Sequence, residues 1–477
     1  MGIKNFLPPF LVSLILIGCA TPTPPSSEEA LAQALAETTT IPDAFAEQDS
    51  QEDYVLPANW IKAFQDPQLD AIIDEVLANN LDLQAAAAEV EAAGGLVTQA
   101  GAQMKPVITA GGEGEQGSSH SSQGAVNISW ELDIWGKLRA QTDAAEAQRE
   151  AITADYEYAR LSLKAQTARS WFMAVEIAQQ LEFAQEVVGL YEKTFEIVEI
   201  KFEFGDVGMK EVHLARADLT TSKERLRQVE GASKVAKRGL EVLLGRYPSA
   251  ELEVSNDFVA VPPPIPVGLP SELIERRPDL VAAERRVAAA FNMTTVAKTA
   301  RLPSIGLSGS VGGANSELTD LLGGGGSFWS VGANFLAPIY SGGALKAEVE
   351  ISNSKQEAAL AAFGQQALVA FGEVENTLSN GAILAEQGQL LTSICEDNRN
   401  ALELVQIQFK DGAEELLSVL LLQASLVTSQ VSLINNQNAQ LSERITLHLA
   451  LGGDFEEPEE ITPTENQSEE QSDKNSN

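Results

Sequence analysis

Few residues in this chain offer covalent or metal chemistry. Its 477 residues include two cysteines and three histidines. His120, His213 and His448 are scattered and lack metal-ligand spacing. Cys395 falls in a helical tract and reads as a small buried apolar residue. The run Gly323-Gly-Gly-Gly326 is not followed by Gly-Lys-Ser/Thr, so it reads as a flexible hairpin tip rather than a phosphate cradle. No nucleotide motif, catalytic triad or metal cluster is visible, and no cofactor or enzymatic activity is expected. A net charge of −36 would repel a phosphate backbone, which excludes nucleic acid as a partner. One reactive group remains: the thiol of Cys19, directly behind an apolar run from Phe6 to Ile17.

That run is too short to span a bilayer as a permanent helix. Leu16-Ile17-Gly18-Cys19 resembles the bacterial lipobox, which implies cleavage before Cys19 and acylation of its thiol and amine. Ala20 rather than Asp follows, which implies sorting to the outer membrane. Residues 1–18 are then a signal peptide. Residues 19–56, rich in Pro, Ser, Thr and Glu, read as a tether from the lipid, with order beginning at Trp60. The acidic stretch 454–477 reads as a disordered tail.

The remaining chain supplies elements of two kinds. Val126, Ile128, Trp130, Leu132 and Ile134 alternate with Asn127, Ser129, Glu131 and Asp133, the period of a strand with one apolar and one wet face. After Gly136 the spacing turns helical. No proline occurs between Pro106 and Pro248, or between Pro338 and Pro458, so very long helices are permitted. A helix from about 137 to 203 would be roughly 100 Å long. The same junction recurs where Trp329, Val331, Ala333, Phe335, Ala337 and Ile339 precede Gly342-Gly343 and a second tract over about 343–408. A further helix begins near Asn80, with Asp82 near its cap.

The duplication is numerical. Asp82 matches Asp279 and Pro106 matches Pro303, since 279 − 82 = 303 − 106 = 197. Past the strands, Phe202, Gly205 and Gly245 match Phe409, Gly412 and Gly452 at 409 − 202 = 207. Two repeats are expected, 57–261 and 262–453, joined at the proline cluster that starts at Pro262. Strands are expected near 106–116, 123–135, 303–313 and 327–340. Each is about the length that crosses a bilayer when tilted, with Trp130, Trp135, Trp329 and Tyr340 near the interfaces. Four strands cannot close a barrel, and an open edge cannot exist in lipid. The expected fold is therefore mainly α, with a small membrane β part completed by other copies.

These residues resemble a family. Pro270-Ser-Glu-Leu-Ile-Glu-Arg276-Arg277-Pro278-Asp279-Leu-Val-Ala-Ala-Glu284-Arg285-Arg286 is close to the signature of TolC-type outer-membrane efflux channels, in their lipoprotein (OprM/NodT-like) branch. Asp66-Pro67-x-Leu69, Asn80-x-Asp82-Leu83 and Pro338-Ile339-Tyr340-Ser-Gly-Gly343 also fit. The resemblance implies a homotrimer with a twelve-stranded barrel continued as a helical tube through the periplasm of a Gram-negative bacterium. It implies a passive exit duct for small molecules such as drugs, working with a periplasmic membrane-fusion adaptor and an inner-membrane RND or ABC transporter. By resemblance, the tips that dock the adaptor are Gly205, Asp206, Val207 and Gly208, and Asp411, Gly412, Ala413 and Glu414. Where TolC places two constriction aspartates this chain has Ser418 and Leu421, and where it pairs an acid with an arginine this chain has Glu211 and Glu414. These departures speak against an ionic lock and favour an apolar constriction, with Leu417, Ser418, Leu420 and Leu421 as the candidate gate. Export of protein or peptide is an alternative cargo, and a periplasmic coiled-coil spacer an alternative class. The spacer leaves the two apolar-faced strand pairs unexplained.

Overall fold

The computed structural model describes residues 23–36, 39, 41–42, 44–45, 59–115, 121–263, 273–315 and 327–453. Cys19, His120, the glycine run 323–326 and the tail after 453 lie outside them. Helix α1 spans Ser27–Ala34 and a 3₁₀ turn spans Trp60–Phe64. Helices α2 (Pro67–Asn79) and α3 (Leu81–Ala102) lead to strands β1 (Val107–Glu115) and β2 (Ser121–Leu132). Helix α4 runs over Lys137–Glu203 and α5 returns over Met209–Leu243. The short α6 (Leu273–Arg276) and α7 (Pro278–Thr299) lead to β3 (Ser304–Asn315) and β4 (Ser327–Leu336). Helices α8 (Ala344–Lys410) and α9 (Leu416–Ala450) complete the second half.

The duplication is exact in length. Helices α3 and α7 each have 22 residues, α4 and α8 each 67, and α5 and α9 each 35. The strands form one antiparallel sheet in the order β1-β2-β3-β4, so the halves meet at β2 and β3. Registers such as Ile128↔Ile108, Trp130↔Leu307 and Ile305↔Phe335 put apolar residues on one face. Asn127↔Ser310 and Ser310↔Ser330 lie on the other, where the two serine hydroxyls are 2.7 Å apart. Val331 and Phe335 are exposed, as a lipid-facing surface requires.

Each long helix packs against its returning partner, and α4 also packs against α7 and α9 of the other half. Helix α9 is apolar enough to cross a membrane by composition. It packs against α8 and α4, and these contacts bury 33% of its most apolar stretch. The main apolar cluster joins Trp60, Phe64 and α2 to Trp171 and Phe172 of α4, Leu240 of α5, and Leu441 and Ile445 of α9.

One expectation needs correction. The segment 19–56 is not wholly a tether, because α1 folds within it. Ser26 Oγ accepts from the Glu29 amide at 3.3 Å, and the Glu29 carboxylate accepts from the Ser26 amide at 3.1 Å, a capping box that starts the helix. Ala30 and Leu31 are then buried against Phe363, Ala367 and Ala370 of α8. Order therefore begins before Trp60. Helix α3 begins where expected: its cap is Asn80, whose side chain accepts from the Leu83 amide at 3.0 Å, with Asp82 beside it as an exposed first-turn acid.

Candidate functional site

The regions that the sequence singles out are the two turns after the long helices, the joints that hold the helices, and the strands. At the first turn, Gly205 has φ +81°, a conformation that favours glycine. The amide of Asp206 donates to Lys201 O at 2.8 Å. The second turn repeats this: Gly412 has φ +76°, and the Ala413 amide donates to Gln408 O at 2.8 Å. Beyond the first turn, Gly208 starts α5, and its amide donates to the Glu211 carboxylate at 3.0 Å. Glu211 is thereby engaged in capping its own helix. In the second turn Glu414 accepts from the Ser418 hydroxyl at 3.0 Å. Asp206, Val207, Asp411, Ala413 and Glu414 lie around a groove of about 900 Å³ between the turns, or next to it; Lys201, Lys210, Phe409, Lys410 and Leu417 line it as well.

The leucines after the second turn divide. Leu416, Val419 and Leu420 are buried with Val198, Val212 and Phe409 in the apolar cluster that holds the tip together. Leu417 and Leu421 are 57% and 60% exposed. Ser418 lies at the boundary, tied to Glu414. The structure thus places Leu420 in the wall and leaves Leu417 and Leu421 on the free face.

The joints involve Asn80, read from the sequence as a helix start, and Arg277, which stood there only within the family-like string. Arg277 is 1% exposed. Its guanidinium grips Asp279 through two bonds of 3.0 and 2.9 Å, Glu373 of α8 at 2.6 Å, and the carbonyl of Ala450 at 3.2 Å. Burial alone would lower its pKa, but the bonds from Asp279 and Glu373 reverse this and hold it above its ordinary value. In the first half the equivalent residue is Asn80, whose amide donates to the carbonyl of Leu243 at 3.1 Å. Leu243 and Ala450 are themselves equivalent, since 450 − 243 = 207. Next to each lies a left-handed glycine. A Cβ on Gly245 would sit 2.9 Å from Asn79 O, and one on Gly452 3.2 Å from Arg276 O.

A second equivalent pair differs more. Glu241 accepts from the amides of Ala250, Glu251 and Leu252 and from the Ser249 hydroxyl. Burial would raise its carboxyl, but those donors hold it below the usual range. Its counterpart is His448, as 448 − 241 = 207, buried with its ring stacked on Trp60 at 5.0 Å. Burial, then the neighbouring Arg444, push this imidazole down to about 3. No cluster of three potential metal ligands occurs among the described residues.

The comparisons with known proteins agree with this architecture. The model of the outer membrane efflux protein family matches residues 72–246 and 269–453, one copy per half. The pyoverdine export outer membrane protein OpmQ of Pseudomonas putida is 30% identical over 93% of this chain and 96% of its own length. The cation efflux system protein CusC of Escherichia coli is 26% identical over 94% of this chain and 98% of its own. The solved structure of the outer-membrane channel OprN superposes with a TM-score of 0.81 at 24% identity, covering 88% of this chain and 98% of that one. Both halves are matched and nearly the whole length is shared with outer-membrane efflux proteins; the chain belongs to the outer membrane efflux protein family, a family of exit channels rather than enzymes.

Proposed function

We propose that three copies of this chain form a passive duct for small molecules, anchored through acylated Cys19, docked by its tips to a periplasmic adaptor, and gated near Leu417 and Leu421. In this reading the repeats 57–261 and 262–453 each supply two strands and one tip. An RND-type inner-membrane transporter supplies the energy, through the adaptor that grips the tip residues Gly205 to Gly208 and Asp411 to Glu414. The observation that carries the gate is the division of the tip leucines. Leu416 and Leu420 are used within the chain, whereas Leu417 and Leu421 are exposed one helical turn apart on the same face. In a ring of three chains that face would supply six leucines to the lumen. Related proteins are named for the export of pyoverdine, cations and toluene, which supports a small-molecule cargo.

The test uses Leu417→Ser with Leu421→Ser. Single-channel conductance in planar bilayers should rise, and cells carrying the variant should admit large antibiotics. Wild-type conductance from the double variant would move the constriction elsewhere and leave the tips as docking surface only. Leu420→Ser is the control: it should loosen the tip cluster and lower thermal stability, because its side chain is 9% exposed.

A further inference from the structure

We infer that the acidic segment 454–477 docks on a basic stripe along the outer flank of helix α5 in the same chain, at Lys234, Lys237 and Arg238. This goes beyond the channel reading and rests on it only for which flank faces outward.

The stripe is a contrast between equivalent helices. The chain has 68 acids against 32 lysines and arginines. Helix α5 reverses this balance with eight bases and five acids, whereas α9, of the same length and place, has one of each, Glu443 and Arg444. Val212, Ala215, Ser222, Val229 and Leu240 form the buried seam of α5. Beside that seam the cations fall in two neighbouring columns of period seven. Arg216, Lys223 and Lys237 share one; Arg227 and Lys234 share the other. Near the turn the stripe is satisfied within the chain. Arg216 pairs with Glu199 of α4 at 3.8 Å, Lys223 with Glu192 of α4 at 2.8 Å, and Arg227 with Glu230 at 2.7 Å. Towards the far end of α5 the acids of α4 run out. The same register sets Lys237 opposite Ala178, since 223 + 14 = 237 and 192 − 14 = 178. Lys234, Lys237 and Arg238 form no ion pair among the described residues, and Lys234 and Arg238 are exposed.

The flank faces outward. Glu241 continues the second column and is buried under residues 250–252, whose amides it accepts. A loop lying across that column would obstruct a lumen, so the column belongs to the outside of the wall.

Residues 454–477 suit this face in charge and in reach. These 24 residues carry nine acids and one lysine. They leave from Gly453, where a Cβ would sit 2.7 Å from the Leu161 side chain of α4. Ala178 lies 178 − 161 = 17 residues further along the same helix, about 26 Å at 1.5 Å per residue. Helix α4 packs directly on both α9 and α5, so crossing it adds about 10–20 Å. Glu465 is 465 − 453 = 12 residues from Gly453, with Glu469 and Glu470 beyond it. Twelve extended residues cover about 40 Å, enough to reach the stripe. Charges in contact attract at physiological salt, while the more distant acids of the wall are screened beyond about 8 Å. Docked, the segment withholds the stripe from other anions; displaced, it leaves an open anion-binding face.

Carbodiimide joins a lysine amine directly to a carboxylate and tests this on the detergent-extracted full chain. Lys355 of α8 is the reference, an exposed lysine that also forms no ion pair among the described residues. Mass spectrometry of digests should find Lys234 and Lys237 linked to residues 454–477 at about tenfold the yield of links to Lys355. At about 1 M salt, where the screening length falls to about 3 Å, that yield should drop about fivefold. Glu465→Gln, Glu469→Gln and Glu470→Gln together should lower it as well, with the helical signal unchanged. Equal yields at Lys355 and Lys234, or a yield indifferent to salt, overturn the docking. Linked products of twice the chain mass on denaturing gels assign the face to a neighbouring copy and overturn the same-chain route. Missing links with Lys234 still protected from amine labelling assign it to another anionic partner and overturn the inference too. Single-channel conductance of the same preparation reads the channel separately: a conducting protein without the links overturns this inference alone.

Discussion

Asn80 and Arg277 occupy the same place in the two halves and grip the same carbonyl of the returning helix, one with a neutral amide and the other with a charged guanidinium. Their surroundings explain the difference. Asn80 stands beside the large cluster around Trp60, Phe64, Trp171 and Phe172, where apolar packing already fixes the joint. Arg277 is flanked by two smaller clusters, one containing Leu273 and Val374 and the other Ile274, Leu280 and Phe363. There the joint is held by a buried ion network instead. The signature Arg276-Arg277-Pro278-Asp279 is therefore a fastening that its own half needs. A buried ion pair is costly to assemble but far more costly to break on one side. That makes the second joint the more fragile to substitution.

The comparison is broken most directly at Arg277. Arg277→Ala leaves Asp279, 9% exposed, without its cation and with the Gln366 amide as a neutral partner, and should cost about 3–5 kcal/mol. The urea midpoint of the helical signal of the extracted protein measures this. A loss below about 1 kcal/mol would show that packing, not the ion network, holds the second half.

A second contrast lies at Glu241 and His448 and is read by pH. The imidazole of His448 lies near 3 in the folded chain, below its ordinary value of about 6.5, so below that value the unfolded chain takes up a proton that the folded chain refuses. The corresponding stability is full above pH 6.5 and is lost progressively as pH falls. Glu241, held low, keeps its contribution until pH drops below the usual carboxylate range. Between pH 6.5 and 4.5 only His448 of the pair acts, and it should remove about 2 kcal/mol. His448→Phe should flatten that part of the stability curve while keeping the ring against Trp60. An unchanged slope would mean that the histidine is not the titrating group.

The smallest effect is expected at Asn80. Asn80→Ala frees the Leu83 amide and the Leu243 carbonyl and should cost about 1–2 kcal/mol in the same urea assay. A cost equal to that of Arg277→Ala would erase the distinction between the joints.

Much of this was legible in the sequence because it is periodic. The proline-free tracts and the alternation around Trp130 and Trp329 mark long helices and two-faced strands without any tertiary information. The tip leucines were only half legible. Leu416, Val419, Leu420, Gln423 and Leu426 recur at steps of three and four as one buried stripe, but nothing local says which stripe faces the partner helix. Of the partners of Arg277 only Asp279 is local; Glu373 and Ala450 are 96 and 173 residues away, beyond any local pattern. Helix α1 was hidden by composition. Its Ser26-x-x-Glu29 box is visible in a stretch otherwise read as linker, but its docking depends on Phe363 and on Gly364, where a Cβ would meet Ala34 at 2.8 Å.

The equal helix lengths have a consequence for how such a protein changes over time. Inserting one residue into a 67-residue helix would advance its end by about 1.5 Å and rotate it by about 100°. Every contact beyond the insertion would then face the wrong neighbour. Lengthening only one half would also leave its tip standing proud of the other. The span is therefore inherited as a single measure, adjustable only by matched steps of about seven residues, two helical turns, in all four long segments together. A duplicated chain of this kind acts as a gauge of fixed length, far more tolerant of altered side chains than of altered counts.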